Sequence, residues 1–236
     1  MELRPLEGEP VAGPWRVEPV DALVRLLLEA AGPVERRPRV VAVDGRGGGG
    51  KSTLAAQRHA AVPRSAVVHT DDVAWHHSSF DWEGLLARDV LEPLRRGEAV
   101  RYRPPGWRAR GRPGALVVPA GLDLVLVEGV GAGRRELAHL LDAVVRVQSD
   151  AAEAERRAIA RDVAAGENGD AEEATASWHE WLAQEIPFVA AQRTWERADV
   201  VVRGTTAAAH DPDHVGLAPP VSPPSEAPDA SPSREA

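Results

Sequence analysis

The stretch "VVAVDGRGGGGKSTLA", Val40 to Ala55, constrains this chain more than any other. An apolar run stops at Asp44, five glycines fall within the next six residues, and Lys51, Ser52 and Thr53 then open a helical segment. Gly45-x4-Gly50-Lys51-Ser52 fits the Walker A pattern G-x-x-x-x-G-K-[ST] of a phosphate-binding loop (P-loop) between a strand and a helix. Each part has a physical role. Glycines reach φ > 0 and let backbone N–H groups approach phosphate oxygens. The helix that follows directs its N-terminal dipole at the same anions. Lys51 would reach the β- and γ-phosphates, and the Ser52 hydroxyl would hold Mg²⁺. Lys51 is the single lysine of the chain; the other 27 of its 28 basic residues are arginine. An ammonium on a flexible stem suits moving negative charge, and the planar guanidinium does not substitute freely for it.

The order of elements around this loop predicts an α/β fold. Val20, Leu23, Val24, Leu27, Leu28 and Ala31 recur at helical spacing and stop at Gly32-Pro33. Short apolar strands, "RVVAVD", "SAVVHTDD", "LDLVLVEG", "AVVRVQ" and "ADVVVRG", alternate with helical segments. Such alternation argues a parallel sheet with helices on both faces, and ligands then sit at the carboxyl ends of the strands. Asp44, Asp71 and Glu128 fall at such ends. Pro93 is expected to kink or end the helix "DWEGLLARDVLEPLRRG", and Pro187 to kink a segment running from about 171 to 193. Residues 1–19, with four prolines, read as a loose lead-in, so that 1–38 holds a lead-in and one helix. Residues 206–236 read as a disordered Pro/Ala-rich tail whose removal leaves the fold intact.

Composition excludes several function classes. A net charge of −8 disfavours nucleic acid as a bulk partner, and the absence of cysteine removes disulfides and thiol chemistry. No apolar run reaches the roughly 18 residues of a membrane span, so a cytoplasmic protein without a membrane partner is expected. His76-His77 is a poor metal site because adjacent side chains diverge. Trp178, Trp181 and Trp195 are expected in a core or interface.

"VAVDGRGGGGKST", "HTDD", "LVLVEGVGAG", "AERRAIARD" and "RADVVVRGT" occur in the order and approximate spacing of uridine kinases, and the chain resembles that family over about residues 39–205. The resemblance implies a P-loop NTPase fold with a central parallel sheet of about five strands, flanking helices and a helical lid. It implies ATP and Mg²⁺ as cofactors and a small-molecule hydroxyl acceptor, the 5′-hydroxyl of uridine or cytidine. Asp71 matches the family's general base, with Asp72 as a competitor for that role. Glu128 matches the acid that orients Mg²⁺, so Ser52 and Glu128 form the expected metal pair. Arg157 and Arg161 match lid arginines and, at i and i+4, share a helix face. The catalytic set implied is Lys51, Asp71, Arg157 and Arg161. The nucleotide set is Gly45, Gly47, Gly48, Gly49, Gly50, Lys51, Ser52 and Thr53. Asp71, Asp72, Trp75, Tyr102 and Trp107 are the expected acceptor-binding residues.

Two departures stand out. The lid lacks the family's "R-G-R" element, reading "DVAAGENGD" instead. Gly106 occupies the position of an aspartate that accepts from a sugar hydroxyl. The alternatives are therefore a kinase for a non-nucleoside hydroxyl compound and a nucleotide-binding regulatory ATPase. A homo-oligomer is compatible with all three readings.

Overall fold

In the computed structural model of this chain, residues 3–166, 168–204 and 213–221 are described. The elements run β1 (Arg16–Pro19), α1 (Val20–Ala31), β2 (Arg39–Gly45), α2 (Lys51–Ala61), β3 (Ser65–His69) and α3 (Thr70–Ala74). A broken helix follows, α4 (Glu83–Leu86) and α5 (Glu92–Arg95), joined by a π-helical turn at Ala87–Leu91. Then come β4 (Val100–Tyr102), α6 (Pro105–Ala109), β5 (Leu116–Val118), β6 (Leu124–Glu128) and β7 (Ala143–Gln148). The helices α7 (Ala151–Ala165) and α8 (Ala171–Gln192) precede β8 (Val200–Arg203) and β9 (His214–Ala218).

Seven strands form one sheet in the order β1-β9-β8-β7-β2-β6-β3. The five from β8 to β3 are parallel, as the alternation of strands and helices predicts. β9 adds antiparallel to β8, and β1 antiparallel to β9. β4 and β5 pair separately. Successive side chains of a strand point to opposite faces, so a sheet covered on both sides needs apolar residues at every position. Val40 and Ala42 join the cluster that packs under Leu86, Leu91 and Leu94. Val41 and Val43 join the opposite cluster with Leu23 and Leu27 of α1 and Leu54 of α2. No helix among the described residues is long and apolar enough to cross a membrane.

Several local expectations change. Pro93 does not end its helix: the helical run continues from Glu83 to Arg95, with the π-helical turn Ala87–Leu91 directly before the proline. Pro187 lies inside α8, which runs from Ala171 to Gln192. Between β6 and β7 the helical segment is a 3-10 helix, Arg135–Leu140.

The lead-in is not loose. Leu3, Leu6 and Ala12 are buried, and Arg16–Pro19 is a strand of the main sheet. Glu9 accepts from Arg146 Nε at 2.9 Å, and Arg146 Nη1 donates to Asp44 at 2.9 Å, with all three side chains buried. A partner 137 residues away compensates the Glu9 charge, which is why the acidic local sequence reads as solvated. The expected tail also needs correction at His214–Ala218. Val215, Leu217 and Ala218 are buried there, and short alternation in a polar, proline-rich context carries little signal by itself. Residues 205–212 and 222–236 lie outside the described residues.

β9 joins β1 to β8, so a chain ending at residue 212 should lose at least about 3 kcal/mol of stability through exposure of Val215, Leu217 and their neighbours. Urea melts of the two chain lengths measure this; coincident midpoints would show that β9 adds nothing to the fold.

Candidate active site

The loop between β2 and α2 is shaped by its surroundings. Gly48 has φ +65° and Gly50 φ +98°, in the left-handed region that favours glycine. A Cβ on Gly48 would run into the Ala154 carbonyl of α7. Ser149 Oγ donates to the Gly49 carbonyl at 2.6 Å, and Lys51 Nζ donates to the Arg46 carbonyl at 2.8 Å. Glu185, fully buried on α8, accepts from Gly47 N at 2.7 Å. Its other oxygen accepts from Trp181 Nε1 at 3.0 Å. α2 starts directly at Lys51 with no acidic residue in its first turn, so its positive end is open to an anion.

Glu128, at the end of β6, accepts from Ser52 Oγ at 3.0 Å and pairs with His69 Nδ1 at 2.6 Å. Burial pushes the Glu128 carboxyl up, but the His69 bond, the Lys51 charge and the Ser52 bond outweigh it and hold the group below the ordinary range. The same bond to Glu128 raises the His69 pKa. Asp71 lies in the first turn of α3, two residues after the end of β3. Its carboxylate reaches solvent through the cleft yet is ringed by protein. That partial loss of water pushes its pKa up, with Lys51 opposing and Glu128 adding to the shift.

A cavity of about 750 Å³ lies over the loop. It brings together Gly47 to Thr53, Asp71, Glu128, Arg157 and Arg161. Arg157 Nε donates to Glu153 at 2.8 Å and its Nη1 to the Gly204 carbonyl at 2.8 Å; Arg161 Nε donates to Asp162 at 2.9 Å. A smaller cavity of about 360 Å³ adjoins Asp71 and contains Trp75.

Four expected residues lie elsewhere. Gly45 packs against β7, where a Cβ would meet the Val147 backbone. Tyr102 belongs to the core beside Val100 and Val118. Trp107 is buried, donates to the Asp72 carbonyl at 2.8 Å and has the Arg112 guanidinium 3.7 Å from its ring centroid. Asp72 is paired with Arg112 at 2.8 Å. Trp107 and Arg112 thus brace the turn that carries Asp71, and neither Asp72 nor Trp107 lines either cavity. Gly106 is explained sterically: any side chain there would collide with the Trp75 carbonyl.

The structure adds residues to the site. Trp178 and Trp181 line the larger cavity instead of only filling a core, whereas Trp195 is buried among Leu6, Val130 and Val189 as expected. Trp178, Trp181 and Glu185 fall at i, i+3 and i+7, one face of α8, a spacing visible in the sequence. His214, Val215 and Gly216 of β9 also line this cavity.

The donor set fits a nucleoside triphosphate with Mg²⁺. Left-handed glycines, an uncapped helix start and Lys51 suit phosphate oxygens. Among the described residues no cluster of three or more His, Asp or Glu is placed to hold a metal. Ser52 and Glu128 fit a cation that takes most of its ligands from phosphate and water.

No protein-family model and no curated protein matches this sequence. Solved structures do. A protein of Silicibacter sp., named provisionally as a fructose transport system kinase, is 22% identical over 74% of this chain and 95% of its own, with a TM-score of 0.55. A Bacillus stearothermophilus protein, named provisionally as a uridine kinase, is 19% identical over 77% of this chain and 96% of its own, with a TM-score of 0.43. D-glycerate 3-kinase from Cryptococcus neoformans var. grubii is 12% identical over 78% of this chain and 94% of its own, with a TM-score of 0.46. The likeness to the Silicibacter structure shows a shared α/β fold.

Gly48→Ala places a Cβ against the Ala154 carbonyl at a left-handed φ, and should cost about 2 kcal/mol or more of stability. Thermal melts read this; an unchanged melting temperature would contradict this loop geometry.

Proposed function

We propose that this chain is a phosphotransferase that binds ATP with Mg²⁺ and transfers the γ-phosphoryl group to a hydroxyl of a small molecule. The observation that carries this reading is the position of Asp71. It shares the larger cavity with Lys51 and also faces the smaller one. A carboxylate between a phosphate site and a second compartment is placed to take a proton from an acceptor hydroxyl.

The roles follow from the donor types. The Gly47–Thr53 backbone and Lys51 hold the phosphates, and Ser52 with Glu128 holds Mg²⁺. The ion supplies charge neutralisation on the phosphates when bound. Arg157 and Arg161 offset charge on the transferring group. Burial raises the Asp71 pKa, with Lys51 opposing the shift, which brings a carboxylate base closer to neutral pH.

The acceptor best supported by the sequence resemblance is the 5′-hydroxyl of uridine or cytidine. A non-nucleoside hydroxyl acceptor is a second reading, favoured by Gly106. The Trp75 carbonyl leaves no room there for the acidic side chain that would meet a sugar hydroxyl.

Lys51→Ala and Asp71→Asn should each lower acceptor-dependent ADP release by about 100-fold or more, with Asp71→Asn retaining ATP affinity. In the parent protein kcat/KM should fall as pH drops through the raised Asp71 pKa, because only the ionised carboxylate accepts a proton. Near-parental turnover by Asp71→Asn would remove Asp71 from the base role.

A further inference from the structure

His69 closes β3, the edge strand of the sheet, and Glu128 closes its neighbour β6. The two residues are register partners, so their side chains leave the same face of the sheet side by side. Just past the pair, a Cβ on Gly129 would collide with the Thr70 side chain, so the two strand ends pack as closely as they can. Backbone packing thus fixes the separation across which His69 Nδ1 bonds to Glu128 Oε2 at 2.6 Å.

The two Glu128 oxygens have different partners. Oε1 accepts from Ser52 Oγ at 3.0 Å, and Oε2 is the one that meets His69. A carboxylate held by one oxygen alone still turns about its last torsion, which is broad. Held at both oxygens, it keeps one plane. An ionised carboxylate has about four acceptor positions, so two remain for the water ligands of a cation once these bonds are made. The His69 bond needs only a proton on Nδ1, which the imidazolium and one neutral tautomer both carry. His69 lines neither cavity and therefore acts through Glu128. Its side chain is 46% exposed, against 7% for Glu128, so replacing it opens no hole in the core. Hydrogen-bond partners behind a metal-binding group set its orientation, and their loss weakens metal binding by about 10- to 100-fold.

We propose that His69 is a positioning residue for the metal site: it locks the Glu128 carboxylate in the orientation in which, with Ser52, it receives the Mg²⁺ that accompanies the nucleotide. This inference rests on the assignment of Ser52 and Glu128 to Mg²⁺ made above and deepens it by naming the residue that sets their geometry.

Full-length protein is titrated calorimetrically with ADP, which binds without turnover, once in EDTA and once in excess Mg²⁺. The ratio of the two dissociation constants reads what the ion adds to binding. In His69→Leu that ratio should fall by about tenfold, while the dissociation constant in EDTA stays within about twofold of the parent. His69→Asn, whose amide N–H₂ sits near the position of Nδ1, should restore the ratio; His69→Gln, whose amide reaches to the position of Nε2, should not. Glu128→Gln serves as the control for the metal site itself. A parental ratio in His69→Leu, with the ratio lost in Glu128→Gln, overturns the inference and leaves the metal assignment and the phosphotransferase reading standing. Equal weakening in EDTA and in Mg²⁺ shows a merely structural role and also overturns it, as does a His69→Asn variant no better than His69→Leu. A ratio that Glu128→Gln leaves at the parental value counts against the metal assignment and takes the inference with it.

Discussion

The contact on which this architecture turns is the one between Gly48 and the Ala154 carbonyl, where the phosphate loop lies against α7 with no room for a side chain. Close packing on one side makes the loop conformation a property of the surrounding fold. The turn after β7 holds Gly49 through Ser149, and Gly204 at the end of β8 leaves no room for a Cβ against the same residue. α8 holds Gly47 through Glu185. Backbone donors fixed in this way need no reorganisation to meet an anion, which is how a site in water gains electrostatic strength.

A second constraint lies beneath the loop. Arg146 of β7 is buried between Glu9 and Asp44, with Thr194 also donating to Asp44. Buried ions are expensive to desolvate, and removing one partner leaves an uncompensated charge. The group therefore ties the first residues of the chain to two central strands. Gln148 extends the tie by donating to Glu9 and to the Pro10 carbonyl and accepting from Ala12 N. β1 and β9 then extend the sheet beyond the five parallel strands, and β9 brings His214 to Gly216 to the cavity wall.

Much of this was legible in the sequence because it was local. The apolar run before Asp44, the glycines and Lys51 specify strand, loop and helix by short-range chemistry, and the alternation of segments specifies the parallel sheet. The acids at the ends of β3 and β6 could be placed for the same reason. What escaped depends on partners far along the chain. Glu9 reads as surface charge until Arg146 is beside it, and Val215 and Leu217 read as tail until β1 and β8 flank them. Tyr102 and Trp107 are aromatics of the expected kind in the expected region, but packing turned them into the core and against Arg112. Trp178 and Trp181 show the converse, since a helical face that reads as core also lines the cavity.

The proposed chemistry requires that phosphoryl leave the nucleotide for an organic hydroxyl, and the destination of the phosphorus atom tests this most directly. Full-length protein with γ-labelled ATP, Mg²⁺ and a mixture of nucleosides and sugars can be followed to completion and its labelled products separated. The account predicts label in a new phosphate ester, formed in proportion to the ADP released. Label recovered only as inorganic phosphate, or retained in ATP, would contradict it.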